Sequence, residues 1–337
     1  MELIVEGKGS FLGKHQGRLR VTREQKTVTE VPLIHLKSVI IVDSGVAISS
    51  DVIRVCCEEG IAIHFLSGRG QPIAALYSAG LTGTVLTRRA QLLAYEQQTG
   101  VMIAKAFIAG KLENHANLLR YMAQYRKETN PALYDELMLV AIEMRDFLHE
   151  LEQVQAERID AIRERLLSVE GRAAQRYWSM IGKVIPDELG WPGRETRGAT
   201  DPFNSALNYG YAILYSQVEQ ALTLAGLDPY GGFLHADRPG KPSLVLDCIE
   251  EFRQTVVDRT LIGLVNKHMP LEQDEQRLLN EETRKKIAEK ILERLESSEP
   301  YEKKRQALRF IVQSQARHLA LFLRNERPCY EPFIAGW

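Results

Sequence analysis

The chain has 337 residues, of which 45% are apolar and 26% charged, with a formal net charge of −1. This composition is typical of a globular protein and excludes disordered and fibrous classes, and the length allows two domains. No apolar run approaches the roughly 20 residues that span a bilayer, and the N-terminus lacks the basic start and apolar stretch of a secretory signal. We therefore expect a cytoplasmic protein with no membrane partner. The near-neutral charge does not indicate a nucleic-acid ligand, so any phosphate-binding surface must be a local basic patch.

Short strands dominate the first part of the chain. Runs rich in strand-forming residues, bounded by Gly, Asp or charged turns, occupy residues 3–5, 18–22, 28–31, 39–42, 61–66 and 72–77. Between them, Ser49 is placed to cap a short helix that continues through Cys57 and stops at Gly60. The pattern predicts a small β-rich, sandwich-like domain over residues 1–82.

From about residue 83 the periodicity becomes helical. Apolar residues at spacings of three and four predict helices over residues 88–97, 101–125, 132–151, 157–181, 203–225, 281–296 and 301–323. Residues 186–202 are dense in Pro, Gly and Thr, which favours an exposed loop. We therefore predict an all-α domain over residues 83–337 and, for the whole chain, an α+β fold.

The four cysteines do not predict a zinc site. Cys56 and Cys57 are adjacent, whereas Cys248 and Cys329 are remote, so no Cys-x-x-Cys pair exists. Small apolar filling is the ordinary role of such free cysteines.

The most informative segment is YGGFLHADRPGKPSLVLDCIEEFR. Its His235 precedes a polar turn with Arg238 and Lys241, and a predicted helix then carries Asp247 and Glu250. These two carboxylates are three residues apart and share one helix face, although apolar residues surround them. Carboxylates in such surroundings are costly unless paired or bound to a cation, and histidine with carboxylates suits Mn²⁺ or Mg²⁺. The alternative, a loop-capping histidine beside a solvated acidic stripe, fits these residues about equally well.

A second candidate acid lies in LLSVEGRAAQRYW. Glu170 is at the apolar edge of a predicted helix, and Gly171 after it costs the helix roughly 1 kcal/mol relative to alanine. That cost needs a reason, such as the close approach of another helix or of a substrate backbone. Arg172 and Arg176 add positive charge nearby. Taken alone, Glu170 also fits an ordinary surface glutamate beside a packing glycine.

The segment NSALNYGYAILYSQVEQAL is mainly core. Its Tyr209, Tyr211 and Tyr215 fit packing positions. Asn204 and Asn208 are four residues apart on one helix face, which would allow hydrogen bonds to metal ligands. For the asparagines, too, an ordinary structural role is the simpler alternative.

These segments, in this order, resemble the CRISPR-associated endonuclease of the spacer-acquisition module, CRISPR-associated protein one. KLENHANLLR and TRRAQLL are similar to further helical motifs of that family, and VIIVDSGVAISSDVIRVCCEEGIAIHFLSGRG resembles its β domain. The resemblance covers almost the whole chain except residues 186–200 and the C-terminal tail.

The resemblance implies one divalent metal, Mn²⁺ or Mg²⁺, held by Glu170, His235 and Glu250, which are also the predicted catalytic residues. Some family members have aspartate where this chain has Glu250, and Asp247 matches an accompanying, possible accessory acid. A homodimer is also implied, and the exposed strand edges of the β domain are the expected interface. The implied partner is a small ferredoxin-like protein that bridges two dimers in a heterohexamer-type complex.

The implied activity is metal-dependent cleavage and transfer of DNA phosphodiesters in antiviral defence. A prespacer 3′-OH attacks a phosphodiester at the edge of a CRISPR repeat, with double-stranded and branched DNA as the expected substrates. The basic residues expected to contact the DNA backbone are Arg172, Arg176, Arg238 and Lys241, followed by Arg194 and Arg197.

Two other classes of function stay open. One is a hydrolase of another phosphoester that uses the same ligands in a closed pocket, which a preference for a small phosphodiester over branched DNA would favour. The other is a non-catalytic DNA-binding scaffold whose acids pair with arginines. Unchanged activity and metal content after Glu170→Ala or His235→Ala would favour the scaffold.

Overall fold

The computed structural model describes residues 2–42, 44–59, 61–77, 85–196 and 198–336. Two four-stranded sheets form the N-terminal part and helices form most of the remainder, which confirms the predicted α+β class. The predicted domain boundary between residues 82 and 83, and the helix stop at Gly60, lie outside the described residues. The domain limits therefore stay predictions.

The N-terminal strands form one partly parallel sheet and one meander. They are β1 (Glu2–Val5), β2 (Phe11–His15), β3 (Arg18–Arg23), β4 (Lys26–Pro32), β5 (Ser38–Ile41), β6 (Ala47–Ile48), β7 (Ala62–Leu66) and β8 (Pro72–Leu76). The first sheet has the order β1-β5-β7-β8, with only β8 antiparallel to its neighbour. The second has the order β4-β3-β2-β6, antiparallel except for β6 beside β2. The sequence does not predict β2, which has a central glycine and two basic residues, or β6, which is two residues long.

Strand β5 separates two hydrophobic cores. Helix α1 (Ser50–Glu58), capped by the Ser49 hydroxyl, lies on one side with Val39 and Ile41. Ile40 and Val42 point the other way and pack with the helical part of the chain. Because successive side chains on a strand alternate between faces, a strand buried on both faces needs this continuous apolar run. The β-rich part is therefore packed against the helices through its first sheet.

The helical part consists of long helices with one irregular stretch. The helices are α2 (Val85–Tyr95), α3 (Gln98–Gln124), α4 (Pro131–Gln153), α5 (Arg163–Val184), α6 (Pro202–Leu224), α7 (Ser243–Cys248), α8 (Arg259–Val265), α9 (Glu281–Glu296) and α10 (Leu308–Leu323). Between α7 and α8 the chain passes through a 3₁₀ turn, Ile249–Glu251, and a π-helical turn, Arg253–Asp258. In the described parts of the chain, no helix is long and apolar enough to cross a membrane.

Two helix predictions are wrong in part. The helix predicted to carry Asp247 together with Glu250 ends at Cys248, so Glu250 lies in the 3₁₀ turn. The helix predicted over residues 301–323 begins only at Leu308. A hairpin of β9 (Ser298–Tyr301) and β10 (Lys304–Ala307) precedes it, so the second part is not all-α. The two central residues of this hairpin have positive φ, which suits the twist of a tight two-residue turn.

Candidate active site

A cavity of about 680 Å³ opens between α3, α5, α6 and the loop before α6. Its volume is in the range of small-ligand sites. The charged residues that line it are Lys111, Glu170, Arg194, Glu250 and Arg253. Three cations face two carboxylates, and this positive excess favours an anionic ligand such as a phosphate.

Lys111 on α3 lies between the two glutamates that the sequence predicts as metal ligands. Its Nζ is 2.7 Å from Glu250 Oε2 and donates a hydrogen bond to Glu170 Oε1. The three side chains are only 12%, 20% and 7% exposed for Lys111, Glu170 and Glu250. Burial alone would lower the pKa of Lys111, but the charges of Glu250 and Glu170 more than offset it and raise that pKa. The fold therefore brings Glu170 and Glu250 together around a positive charge.

Glu250 is kept ionised by the cations around it. Burial would raise its pKa, but the charges of Arg253 and Lys111 lower that pKa to about 2. Arg253 Nε is 3.0 Å from Glu250 Oε1, because the π-helical turn returns Arg253 to the cavity. Glu250 Oε2 is buried, and the Lys111 ammonium lies 2.7 Å from it. A metal ion at this oxygen would therefore take the place of Lys111.

Asp247 fixes the loop that carries His235. Its carboxylate accepts hydrogen bonds from the backbone N–H groups of Phe233 at 2.6 Å, Leu234 at 3.0 Å and His235 at 2.9 Å. It also contacts Nδ1 of the His235 ring at 2.7 Å. Because a carboxylate only accepts, Nδ1 carries the hydrogen and Nε2 is the nitrogen left to bind a cation. Asp247 is fully buried and acts here on the histidine loop.

The chemical types of the three predicted ligands suit a hard divalent cation. Two carboxylates and an imidazole suit Mn²⁺ and Mg²⁺. Within the part of the chain that the structure describes, however, no three His, Cys, Asp or Glu side chains form a ready-made metal-binding group. Lys111 instead neutralises Glu170 and Glu250. The structure thus brings the two glutamates together around an ammonium group, whereas His235 is not among the residues that line this cavity.

The loop before α6 is largely exposed, as the sequence predicts, but its Trp191 is anchored on the helices. The ring of Trp191 packs edge-on against Trp178 of α5, with centroids 6.0 Å apart, and against Phe203 of α6 at 5.6 Å. These contacts fold the loop over the two helices. The loop therefore forms one wall of the cavity.

Asn204 and Asn208 hold an arginine at the cavity. Arg194 donates hydrogen bonds to Asn204 Oδ1 at 3.0 Å and to Asn208 Oδ1 at 2.7 Å. Its guanidinium lies 5.5 Å from the Tyr211 ring centroid, and that of Arg253 lies 4.5 Å from the same centroid. The predicted hydrogen bonds of the asparagines to metal ligands are therefore wrong, whereas the packing role of Tyr211 is confirmed by its burial.

Arg172 and Arg176 point away from the cavity toward α4. Arg172 contacts both carboxylate oxygens of Glu150 at 2.8 Å, and Arg176 contacts both of Glu143 at 2.7 Å. Both arginines are exposed, and their glutamate partners are partly exposed. Ion pairs on the surface contribute little to stability, so these arginines can exchange a glutamate for a phosphate. Their contact with DNA remains a prediction.

The turn after His235 carries the other predicted DNA contacts. Arg238 is exposed and pairs through its backbone with Lys241, which is partly buried. Both follow the loop that Asp247 anchors, and Lys241 lines a separate cleft beside β7 and β8. Arg197 lies outside the described residues.

Some features of the cavity escape the sequence-based prediction. Gly171 lines the cavity, and no described atom lies within 4 Å of the position a Cβ would take. Of the two reasons offered for this glycine, the close approach of another helix is therefore wrong, and the approach of a substrate backbone stays a prediction. Lys111, His115 and Arg253 were not predicted as site residues. A signal exists, since Lys111 and His115 are four residues apart on one helix face and Arg253 follows Glu250 by three.

With this geometry in view, the chain can be compared with known proteins. The family described as CRISPR associated protein Cas1 matches residues 3–293. Over 348 residues the chain is 40% identical to CRISPR-associated endonuclease Cas1 1 of Archaeoglobus fulgidus, with 100% of both chains covered. The chain belongs to the Cas1 family. It is also 33% identical to Cas1 3 of Thermus thermophilus, covering 96% of this chain and 94% of that one. Its identity to Cas1 1 of Francisella tularensis subsp. novicida is 34%, covering 99% of each.

Solved structures share the fold over nearly the whole chain. A casposase bound to integration product superposes with a TM-score of 0.82 at 24% identity, covering 98% of this chain and 92% of that one. A CAS1 protein from Thermotoga maritima gives 0.80 at 18% identity, covering 99% and 100%. A chain of a Cas6-RT-Cas1–Cas2 complex gives 0.78 at 19% identity, covering 99% of this chain and 36% of that one. The predicted family, fold class and enzymatic class, a CRISPR-associated endonuclease, are confirmed.

Asp247→Asn is expected to weaken Mn²⁺ binding by about 10- to 100-fold, the usual cost of losing a partner that orients a metal-binding histidine. The amide keeps the size of the side chain but cannot accept all four N–H contacts that the carboxylate receives from residues 233–235. Calorimetric titration of Mn²⁺ into the metal-free protein measures the effect. Equal affinity for Mn²⁺ in the variant and the parent would show that Asp247 does not orient His235 toward a metal.

Proposed function

We propose that this Cas1 endonuclease joins prespacer DNA to a CRISPR array. The prespacer 3′-OH gives up its proton as its oxygen forms a new bond to the phosphorus at the edge of a repeat, while the bond from that phosphorus to the 3′-oxygen of the flanking nucleotide breaks and that oxygen takes up a proton. The observation that carries the proposal is the pair Glu170 and Glu250 around Lys111, in a cavity with excess positive charge. The shared fold of a casposase bound to integration product supports it.

We assign Glu170, His235 and Glu250 as the catalytic residues and as ligands of one Mn²⁺ or Mg²⁺. When bound, the cation stabilises negative charge on the scissile phosphate. Asp247 holds His235 by its Nδ1 and so directs Nε2 to the cation. Arg253 keeps Glu250 in place through its Nε at 3.0 Å. The two carboxylates together supply the negative charge that a divalent ion needs in a buried site.

Arginine side chains that line the cavity would bind the DNA phosphate. Arg194 and Arg253 stack on Tyr211, and this packing orients their planar guanidinium groups toward the cavity that they line. Guanidinium groups with fixed orientation suit the oxygens of a phosphate. Outside the cavity, the predicted contacts of Arg172, Arg176 and Arg238 with the backbone would fix the register of the duplex.

The proposed assembly is a homodimer that acts in the cytoplasm with a small ferredoxin-like partner in a heterohexamer-type complex. The fold shared with one chain of a Cas6-RT-Cas1–Cas2 complex supports an assembly of this kind. Strand β8 ends the first sheet and exposes 69% of Ile73, so this edge remains our candidate for the dimer interface.

The chemistry of the 3′-OH provides the sharpest test. A duplex with 3′-OH ends, incubated with the partner protein, Mn²⁺ and a supercoiled plasmid bearing a repeat, is expected to give joined products that EDTA abolishes. A duplex with 3′-dideoxy ends should give none, because it lacks the attacking oxygen. Cleavage of branched DNA should persist, since water replaces that oxygen.

Each alternative class predicts a different pattern. Hydrolysis of a small phosphodiester without joining would favour the hydrolase of another phosphoester. Joining that continues with 3′-dideoxy ends would contradict the proposed attack. Binding of branched DNA without any Mn²⁺-dependent cleavage would favour the scaffold.

A further inference from the structure

The C-terminal tail packs against the segments that carry Lys111 and Glu250. Residues 330–335, called here the C-terminal strap, follow α10 and lie against α3 and the 3₁₀ turn. Tyr330, Phe333 and Ala335 are 8%, 2% and 0% exposed. Sequence reasoning found no pattern in this tail, because its contacts are with residues far away in the chain.

Glu251 anchors the strap to the segment that carries Glu250. Its carboxylate accepts a hydrogen bond from the Tyr330 hydroxyl and one from the Phe333 backbone N–H at 2.7 Å. A third comes from Gln315 Nε2 at 2.8 Å. Glu251 is fully buried, so these three donors offset its desolvation. The neighbour of the candidate ligand Glu250 is thereby held by the chain terminus.

Asn114 anchors the strap to the helix that carries Lys111. Its Nδ2 donates to the backbone oxygens of Glu251 and Phe333, each at 2.9 Å, and its Oδ1 accepts from the Ala335 N–H at 2.8 Å. The amide group therefore joins three segments at once: α3, the 3₁₀ turn and the strap. Lys111 is three residues earlier, on the same turn of α3.

Packing fixes the strap in the same place. Phe333 stacks on Phe252 with ring centroids 5.4 Å apart, and Tyr330 meets Phe107 of α3 edge-on at 5.6 Å. A Cβ at Gly110 would lie 2.7 Å from a strap side-chain atom, so the strap needs a glycine at this position to approach α3. Close packing on both sides leaves the strap little freedom to shift.

We infer that the C-terminal strap positions Glu250 for metal binding and sets the place of Lys111 beside it, with Asn114 and Glu251 as positioning residues. The inference rests on the metal site proposed above. Neither anchor belongs to the proposed ligand set. Each acts through a neighbour in the chain, because the strap sets the distance between α3 and the 3₁₀ turn and hence between Lys111 and Glu250.

The test compares two asparagines of α3 in the full-length protein. Asn114→Ala removes three hydrogen bonds, two donated by Nδ2 to Glu251 O and Phe333 O and one accepted from the Ala335 N–H. The control Asn117→Ala removes one bond to the end of the strap, from Nδ2 to Ala335 O at 2.8 Å, and one within α3, from Arg120. The measurements are Mn²⁺ affinity by titration, amide hydrogen exchange of residues 249–253 in metal-free protein, and thermal unfolding. Asn114→Ala is expected to weaken Mn²⁺ binding by about 10- to 100-fold and to speed the exchange. Asn117→Ala should change neither.

The outcomes separate the strap from the metal site. A lower unfolding temperature with unchanged Mn²⁺ affinity and unchanged exchange would reduce the strap to a general stabilising element and overturn the inference. Glu250→Gln serves as the reference, since undiminished Mn²⁺ binding in that variant would mean that the metal site itself is misplaced. If Asn114→Ala does not fold, Tyr330→Phe takes its place, because it removes only the hydroxyl that donates to Glu251. Mn²⁺ affinity and amide exchange are then measured in that variant. At excess Mn²⁺, DNA cleavage by the Asn114 variant should recover.

Discussion

Glu250→Gln is expected to abolish Mn²⁺-dependent DNA cleavage, with a loss exceeding the ~10- to 100-fold that an orienting partner typically costs. Glutamine has nearly the same shape but no charge. A largely buried side chain beside Arg253 and Lys111 then offers the metal one neutral oxygen where a carboxylate stood. The site would keep one carboxylate, that of Glu170, against an unchanged set of cations. A divalent ion would be repelled from the cavity.

Cleavage of branched DNA over a range of Mn²⁺ concentrations measures this effect. Glu150→Gln provides a control, because Glu150 is a partly exposed glutamate of α4 that, among the described residues, pairs with Arg172 outside the cavity. Glu250→Asp should retain partial activity, since it keeps the carboxylate. Cleavage by Glu250→Gln at the parent rate, in protein that unfolds at the parent temperature, would exclude Glu250 from the metal site.

The candidate site was predictable from the sequence where its chemistry is local. His235 and Asp247 were both singled out on one short segment, although the contact between them was not predicted. The surroundings of Glu170 and Glu250 were not predictable, because they depend on how distant helices meet. Lys111 is on α3, and its place between the two glutamates requires α3, α5 and the 3₁₀ turn to converge.

The fold, too, was predictable where it depends on neighbouring residues and was not predictable where it depends on tertiary contacts. Strands with alternating or continuous apolar residues were predicted, and so were the long amphipathic helices. Both can be predicted because the spacing of apolar residues along the chain indicates them directly. The break after Cys248 was not, because the apolar pattern continues through it while tertiary contacts pull the backbone into 3₁₀ and π-helical turns. Such irregular turns are frequent at functional sites, and here they direct Glu250 and Arg253 into one cavity.

Lys111→Met is expected to lower the free energy of unfolding of the metal-free protein by about 3–5 kcal/mol, the cost of removing one partner from a buried ion pair. Methionine keeps most of the length and apolar volume of the side chain. It leaves Glu170 and Glu250 facing each other with Arg253 as the nearby cation on Glu250. Urea unfolding in the presence of EDTA measures the loss.

Adding Mn²⁺ to the Lys111→Met variant gives a second test of the metal site. If Glu170 and Glu250 are ligands, Mn²⁺ should replace the missing ammonium group and stabilise Lys111→Met more than the parent, because the parent must first displace Lys111. Lys105→Met is the matched control on the same helix, since the Lys105 ammonium donates hydrogen bonds to the backbone carbonyl oxygens of Glu152 and Val154 among the described residues. Equal stabilisation by Mn²⁺ in all three proteins would mean that the two glutamates pair with Lys111 for structural reasons alone.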